Sequence, residues 1–345
     1  MIIHKSVVTN EKKTSTPLAF LVIFLLLFNY ASYLLADDAN AQTENIQDSV
    51  PEVTHDMCNC IIFRLDDVNS NLLPTVQHAI MNEFISKNQS LSLGLIMHNI
   101  DLDSAITGKI KEGVQKGLFE LDVHGWDHVD YTQLSKEEQL GTLQQANDKM
   151  NIIFGHYSQT FIPPYNKFDG DTISVLKSSG IRIISSDTST DKTNYFIADG
   201  VNQSKSNDVL YHLPSVATFK NDNGNGTWIK VPIQTILARS DNAINKYGYA
   251  VVLLHPQNFA KLENGVYVDV VDEHEINDLS SLIDSIKSQD LKITTFTNAV
   301  GLDKTYLPAN TVPEFSGIEI TVLIISIVSV IAFTTIAKKG LFRHF

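Results

Sequence analysis

Adjacent carboxylates at Asp66-Asp67 and a pair of imidazoles at His124 and His128 are the residues of this chain best suited to hydrolytic chemistry. Neighbouring carboxylates at a strand end point in different directions, so one can bind a cation while the other takes a proton from water. Taken alone, an Asp-Asp dipeptide serves more often as a helix cap or a solvated turn. Two imidazoles four residues apart can reach one ion from a helical turn, although a chain with 11 His can produce such a pair by accident. Taken together, Asp67, His124 and His128 offer two nitrogens and one oxygen, a facial set for zinc or another divalent ion that leaves positions open for water. A thiolate site is excluded, because the only cysteines are Cys58 and Cys60. A disulfide across that spacing is strained, and two ordinary thiols ahead of a strand are the expectation.

Distant residues meet only if the fold brings them together. Short β-rich runs at 61–65, 91–97, 119–123, 159–162, 181–185, 209–213, 249–254 and 291–296 alternate with helical patterns. The helices are expected at 75–87, 135–154 with a Ser135/Glu138 capping box, 171–178, 235–246 and 275–288. Such alternation predicts βα units around a parallel sheet. Asp66 and Asp67 then end the first strand, His98 the second and His255 a late one. His124 follows the third strand, the 163–166 stretch the fourth and Asp187 the fifth. In a parallel barrel these positions share one rim, where barrel enzymes keep their chemistry. His98, Trp126, Asn166 and Asp169 are candidates for the groove, with ordinary packing or capping as the competing role of each.

Of 345 residues, 43% are hydrophobic and 19% charged, which is the composition of a packed domain. The net charge of -13 excludes a nucleic-acid partner, because phosphate binding needs clustered Lys and Arg. An apolar run at 18–36 follows Lys5, Lys12 and Lys13, and a second at 318–337 precedes Lys338, Lys339 and Arg343. Each is long enough to cross a bilayer. Both basic flanks belong in the cytoplasm, so the middle of the chain is expected on the extracellular face of the membrane. Cleaved signal peptide and retained anchor are both open for the first run. The expected organisation is a cytoplasmic N-terminus at 1–17, that segment at 18–36, a linker at 37–57 and a catalytic domain at 58–305. A linker with a sorting motif at 306–317, the second span at 318–337 and a basic tail at 338–345 complete it.

These residues resemble the NodB-like polysaccharide deacetylases, carbohydrate esterase family four. Arg64 to Val68 is similar to the family's first motif, Thr-Phe-Asp-Asp-Gly, and His124 to His128 to its second, His-Ser/Thr-x-x-His. Glu120 matches the Glu that precedes the first His. Ile162-Pro163-Pro164-Tyr165 resembles the third motif, Arg-x-Pro-Tyr, and Leu253-Leu254-His255 the fifth, Leu-x-His. Asp187 is a weak match to the fourth. Val68 stands in place of the family's Gly, Gly125 in place of Ser or Thr, and Ile162 in place of Arg, which marks a divergent branch. Arg64 is the candidate to replace the missing charge. Residues 312–319, Val-Pro-Glu-Phe-Ser-Gly-Ile-Glu, resemble the PEFG-type C-terminal sorting signal of ammonia-oxidising archaea, with Ser316 in place of Gly.

The resemblance implies an α/β fold, a distorted (β/α) barrel of the polysaccharide-deacetylase type, here flanked by two transmembrane segments. It implies Asp66 as catalytic base and His255 as general acid. Asp67, His124 and His128 become ligands of one divalent ion, expected to be zinc. The backbone N–H of Tyr165 would help hold the oxyanion and Leu253 would wall the acyl pocket, with Pro164, Arg64 and Trp126 as further oxyanion or substrate candidates. The expected activity is hydrolysis of the N-acetyl amide of amino-sugar polymers or glycoconjugates. Partners are then an acetylated glycan, the membrane and a sortase-like processing enzyme. Two other readings stay open: a catalytically inactive glycan-binding barrel, and a metal amidohydrolase acting on a non-sugar amide.

Overall fold

The structure is a computed structural model that describes residues 58–187, 210–224 and 227–302. The segments expected at 18–36 and 318–337, the linkers and the sorting motif lie outside the described residues. Among the described residues no helix is long and apolar enough to cross a membrane.

One parallel sheet organises the domain. Its strands are β1 (Cys60–Val68), β2 (Leu91–Leu95), β3 (Phe119–Val123), β4 (Thr160–Phe161), β5 (Ile183–Ile184), β6 (Tyr211–His212), β7 (Ala217–Thr218), β10 (Tyr249–Leu254) and β13 (Lys292–Thr294). They run in the order β6-β5-β4-β3-β2-β1-β10-β7, with β13 also paired to β1. Two hairpins complete the strands: β8 (Lys220–Asp222) with β9 (Trp228–Lys230), and β11 (Ala260–Glu263) with β12 (Val266–Val271). The helices are α1 (Pro74–Ser86), α2 (Ser104–Gln115), α3 (Lys136–Phe154), α4 (Gly170–Ser178), α5 (Ile233–Tyr247), α6 (Glu273–Ser288) and the short α7 (Phe296–Ala299). The sheet is a curled half-barrel rather than a ring of equal strands, because β4 to β7 are only two residues long each.

Strand parity divides the interior into two chemistries. Side chains alternate across a strand, and Ile61, Phe63 and Leu65 of β1 join Leu91, Leu93 and Leu95 of β2 in the main apolar core with the helices. Cys60 and Ile62 face inward, with Tyr249 and Val251 of β10, in a second, smaller apolar cluster. Further up β1 come Arg64 and Asp66, with Ser92 of β2 and Asp122 of β3 beside them on the inner face, all buried. Along β1 and β10 the inner face therefore changes from apolar to polar toward the C-terminal ends, where Arg64, Asp66 and His255 stand. Strands buried on both faces read as nearly continuous apolar runs, which explains why 249–254 was legible to the residue, while 119–123 was legible through its alternation of Phe119, Leu121 and Val123 with Glu120 and Asp122; the two-residue strands offer neither pattern.

Several expectations need correction. Cys58 and Cys60 form a disulfide, with Cα atoms 5.1 Å apart, rather than two free thiols. Helix α2 was not anticipated, since Gly108 and Gly113 weaken its pattern; Asp103 starts it by accepting from the Ala105 N–H at 2.7 Å. The hairpins and β7 were also missed, being short and outside the βα alternation. The capping box at α3 is present, with Ser135 and Glu138 bonded reciprocally.

Gly113 has a packing reason. A Cβ there would lie 1.9 Å from Phe119 Cδ2, where α2 presses on the start of β3. Gly113→Ala is therefore expected to destabilise the domain by about 1–3 kcal/mol through overpacking, despite the better helix propensity of Ala. Urea unfolding monitored by circular dichroism checks this, with Gly108→Ala, which meets nothing within 4 Å, as the matched control.

Candidate active site

A bulge in β1 determines where Asp67 points. Inward residues of β1 are 60, 62, 64 and 66, so regular alternation would send Asp67 outward, with Phe63 and Leu65. The pairing of β1 with β2 shifts register between Leu65 and Val68, and Asp67 adopts φ 62, in the left-handed region. An extra residue of this kind re-aims a side chain. Asp67 thereby joins the cavity, and Val68 returns to the outer core.

The re-aimed carboxylate meets both imidazoles. His124 Nε2 is 3.3 Å and His128 Nε2 is 3.1 Å from Asp67 Oδ1, and one ligand atom from each residue lies within 4.8 Å of the others. His124 Nδ1 donates to the Ile162 carbonyl at 2.8 Å, which leaves its Nε2 as the atom facing Asp67. Asp67 Oδ1 is buried and has no hydrogen bond of good geometry. Burial alone would raise the Asp67 carboxyl, but His124, His128 and His255 outweigh it and hold it well below the usual carboxylate range. Burial alone would lower His124, yet Asp66 and Asp67 raise it above an ordinary imidazole. An orphaned oxygen beside two imidazole nitrogens, in a hard-and-borderline N₂O donor set, fits a divalent cation.

Asp66 is held from behind. Arg64 Nε donates to Asp66 Oδ1 at 2.9 Å and Nη2 to Oδ2 at 2.7 Å, a two-point grip. The rest of the guanidinium donates to the Ser185 carbonyl, the Ser185 hydroxyl, the Ser186 carbonyl and Asn166 Oδ1, at 2.8, 3.0, 3.0 and 3.0 Å. Gly94 of β2 leaves the room required, since a Cβ there would come within 3.3 Å of Asp66 Oδ1.

The cavity, about 620 Å³, is lined by Asp66, Asp67, His124, His128, Tyr165, Leu253 and His255 on its β1–β3–β10 side. Asn166 and Asp187 also line it, and Asp187 bridges to Ser215. Tyr165 sits in a helical turn closed by Asn166 N–H to the Pro163 carbonyl and Lys167 N–H to the Pro164 carbonyl, which leaves the Tyr165 N–H outside the turn's own bonds. His255 continues the inward parity of β10 beyond Leu253. Burial pushes its imidazole below the ordinary value, against the pull of Asp67 and Asp66.

Three predicted contacts move. Arg64 has no exposed surface, so it supports Asp66 rather than touching a substrate or an oxyanion. Pro164 is buried behind the rim, against Gly125. Trp126 does not line the cavity: it stacks on His98 at 5.2 Å and lies under Lys149. The cause is that backbone bonds from Met97 and His98 to the Gly125 and Trp126 carbonyls extend the β2–β3 pairing past the strand ends. His98 itself pairs with Asp127 outside the cavity, and Asp169 is the N-cap of α4. Glu120 accepts from Thr160 and Thr297 and takes no part in the site.

Other lining residues were missed. Trp228 packs on His255 with ring centroids 4.7 Å apart, and Asn221 and Arg239 share its wall. Their only sequence signal is a lone Trp after a Gly-rich turn, because a hairpin inserted between βα units has no periodicity to read.

With its polar rim at the strand ends, the curled parallel half-barrel is an α/β fold of deacetylase type. The polysaccharide deacetylase family model matches residues 75–184. Among solved structures, the chain is similar to a Mycobacterium smegmatis protein assigned as a polysaccharide deacetylase, at 13% identity over 79% of this chain and 100% of that one, with TM-score 0.51. It is also similar to a family 4 acetyl xylan esterase from Clostridium thermocellum in complex with a cobalt ion, at 14% identity over 73% and 98% of the chains, TM-score 0.46. A carbohydrate esterase family 4 pseudoenzyme from Bacillus anthracis matches at 14% identity over 70% and 65%, TM-score 0.45. No curated protein matches the sequence.

Asp122 lies inward on β3, two residues before His124, with both carboxyl oxygens buried and unbonded. Burial, with Glu120 and Asp66 nearby, pushes its pKa well above the usual range. The folded state therefore keeps a proton that the unfolded chain releases near pH of about 3.9. Its contribution is full below that pH and is lost as pH rises toward the folded value. Between the two, stability falls by up to about 1.4 kcal/mol per pH unit. Asp122→Asn should remove this component, so that thermal melts from acid to neutral pH show a shallower decline for the variant than for the parent.

Proposed function

We propose that the chain is a metal-dependent hydrolase that removes the N-acetyl group from amino-sugar polymers or glycoconjugates outside the cell. One observation carries this reading: an orphaned Asp67 oxygen converges with His124 and His128 beside an Asp66 carboxylate gripped at two points by Arg64. A binding module needs a ligand set but has no use for a separately oriented base, so this arrangement favours the enzyme over an inactive glycan-binding barrel.

Asp67, His124 and His128 would hold one divalent ion, for which zinc fits the two imidazoles and one carboxylate. Such an ion supplies Lewis acidity, polarising the amide carbonyl and acidifying water. Asp66 accepts the proton of the attacking water, and Arg64 keeps its carboxylate aimed while carrying the compensating charge. The N–H of Tyr165 is available to the developing oxyanion. His255 hands a proton to the departing amine, so the products are acetate and a free amino sugar. Leu253 offers an apolar wall for the acetyl methyl.

The extracellular, membrane-anchored location rests on the basic flanks of the segments at 18–36 and 318–337. The Cys58–Cys60 disulfide supports it, since such bonds persist in oxidising compartments. The motif at 312–319 would direct a sortase-like processing enzyme, in keeping with an archaeal surface protein.

Acetate release from N-acetylglucosamine oligomers, with and without chelator, tests the activity. Asp66→Asn should lower turnover by at least about 10²–10⁴-fold while the ion content measured by atomic spectroscopy stays at the parent level. Asp67→Ala or His128→Ala should lose both ion and turnover. Undiminished turnover in metal-free protein would overturn the scheme. Hydrolysis of simple aryl amides with no action on sugars would favour the amidohydrolase reading instead.

A further inference from the structure

The cavity has a second wall that the hydrolytic scheme does not use. It is built by β7, the β8–β9 hairpin and α5, all beyond the 75–184 stretch that matches the family model. Trp228 presents an indole there, packed on His255. Asn221 and Arg239 line the same wall from β8 and α5.

Arg239 differs from the other buried or groove-lining cations. Lys220, the other cationic residue in the lining, is paired with Glu275 at 3.1 Å, and its hairpin neighbour Lys230 is held by Glu275 and Asp278. Arg64 is committed to Asp66 and its surrounding oxygens. Arg239 is exposed, and its guanidinium has no hydrogen bond or ion pair among the described residues. Asp222, in the same lining, accepts from the Gly224 N–H and closes its own hairpin turn. In a chain of net charge -13, an unpaired guanidinium at the mouth of a carboxylate-rich cavity is left for something that arrives.

We propose that this wall is a subsite for an acidic sugar: Arg239 takes a carboxylate of the glycan while Trp228 offers a face for a pyranose ring and Asn221 an amide for its hydroxyls. A guanidinium recognises a carboxylate through two parallel N–H donors, and the apolar face of a sugar packs against an aromatic ring. This subsite rests on the deacetylase reading for its substrate but not for its binding.

Three oligomers test it with the full chain: a neutral N-acetylglucosamine oligomer, an alternating N-acetylglucosamine–glucuronate oligomer and one carrying N-acetylmuramic acid. The two acidic probes separate a carboxylate on the neighbouring ring from one on the same ring. Calorimetric binding should favour at least one acidic oligomer by about 10-fold over the neutral one. Arg239→Gln should bring that ratio close to one, Arg239→Lys should keep part of it, and added salt should weaken it in the parent. No preference in the parent, whether all oligomers bind alike or none binds, overturns the subsite. So does a preference that survives Arg239→Gln. Acetate release, followed in parallel, reports separately on the hydrolase: binding preference without release of acetate retains the subsite and removes the activity.

Discussion

A guanidinium with no exposed surface is tolerable inside a protein only when its N–H groups all find oxygens and its charge finds a partner. Arg64 meets both conditions, and in doing so it joins three separate pieces of chain. Asp66 comes from its own strand, Asn166 from the turn after β4, and Ser185 with Ser186 from the end of β5. Losing any one of these leaves a buried charge partly unsatisfied, so the rim loops are fixed by the same requirement that fixes the base. The pair is better read as a device for geometry than for stability, since desolvation offsets much of the attraction in a buried ion pair.

Parity supplies the rest of the site's order. Inward positions on β1 and β10 rise from apolar residues to Arg64 and Asp66 and to His255, and β3 adds Asp122, without any change in backbone geometry. Asp67 alone needs an irregularity, and the bulge in β1 provides it at the cost of a left-handed residue. His128, Tyr165 and Asn166 also have positive φ, at 55°, 57° and 56°. Such conformations cost of order 1–3 kcal/mol each for residues other than glycine. Their concentration around one cavity shows where the fold gives up backbone comfort for placement.

How much of this could be read from the sequence depended on pattern length. The apolar run of β10, the alternation of β3 and the capping box of α3 announce themselves through periodicity and local bonding. The Asp67, His124 and His128 convergence was legible because each lies near or just beyond the C-terminal end of a strand, although the bulge that turns Asp67 inward was not. Arg64 was visible as a charge near Asp66, yet its full burial and its reach to Ser185 and Ser186, 121 and 122 residues away, were not. Trp126 was misplaced because proximity to His124 in sequence says nothing about which way an indole turns once backbone pairing extends past the strand. The wall of Trp228 and Arg239 was unreadable, since an inserted hairpin and an exposed helical Arg carry no local signature of a cavity.

The curled sheet begins at β6 and finishes at β7, and these two strands are neighbours in the chain, separated only by residues 213–216. That short stretch is bonded both ways: Leu213 and Ser215 donate to the Ile184 and Ser186 carbonyls, and Val216 donates to Val251. It acts as a seam stitching the first margin of the sheet to the last. Open strand margins are what allow one molecule to add itself to the next. Self-association through those margins would thus be held off by a few backbone amides.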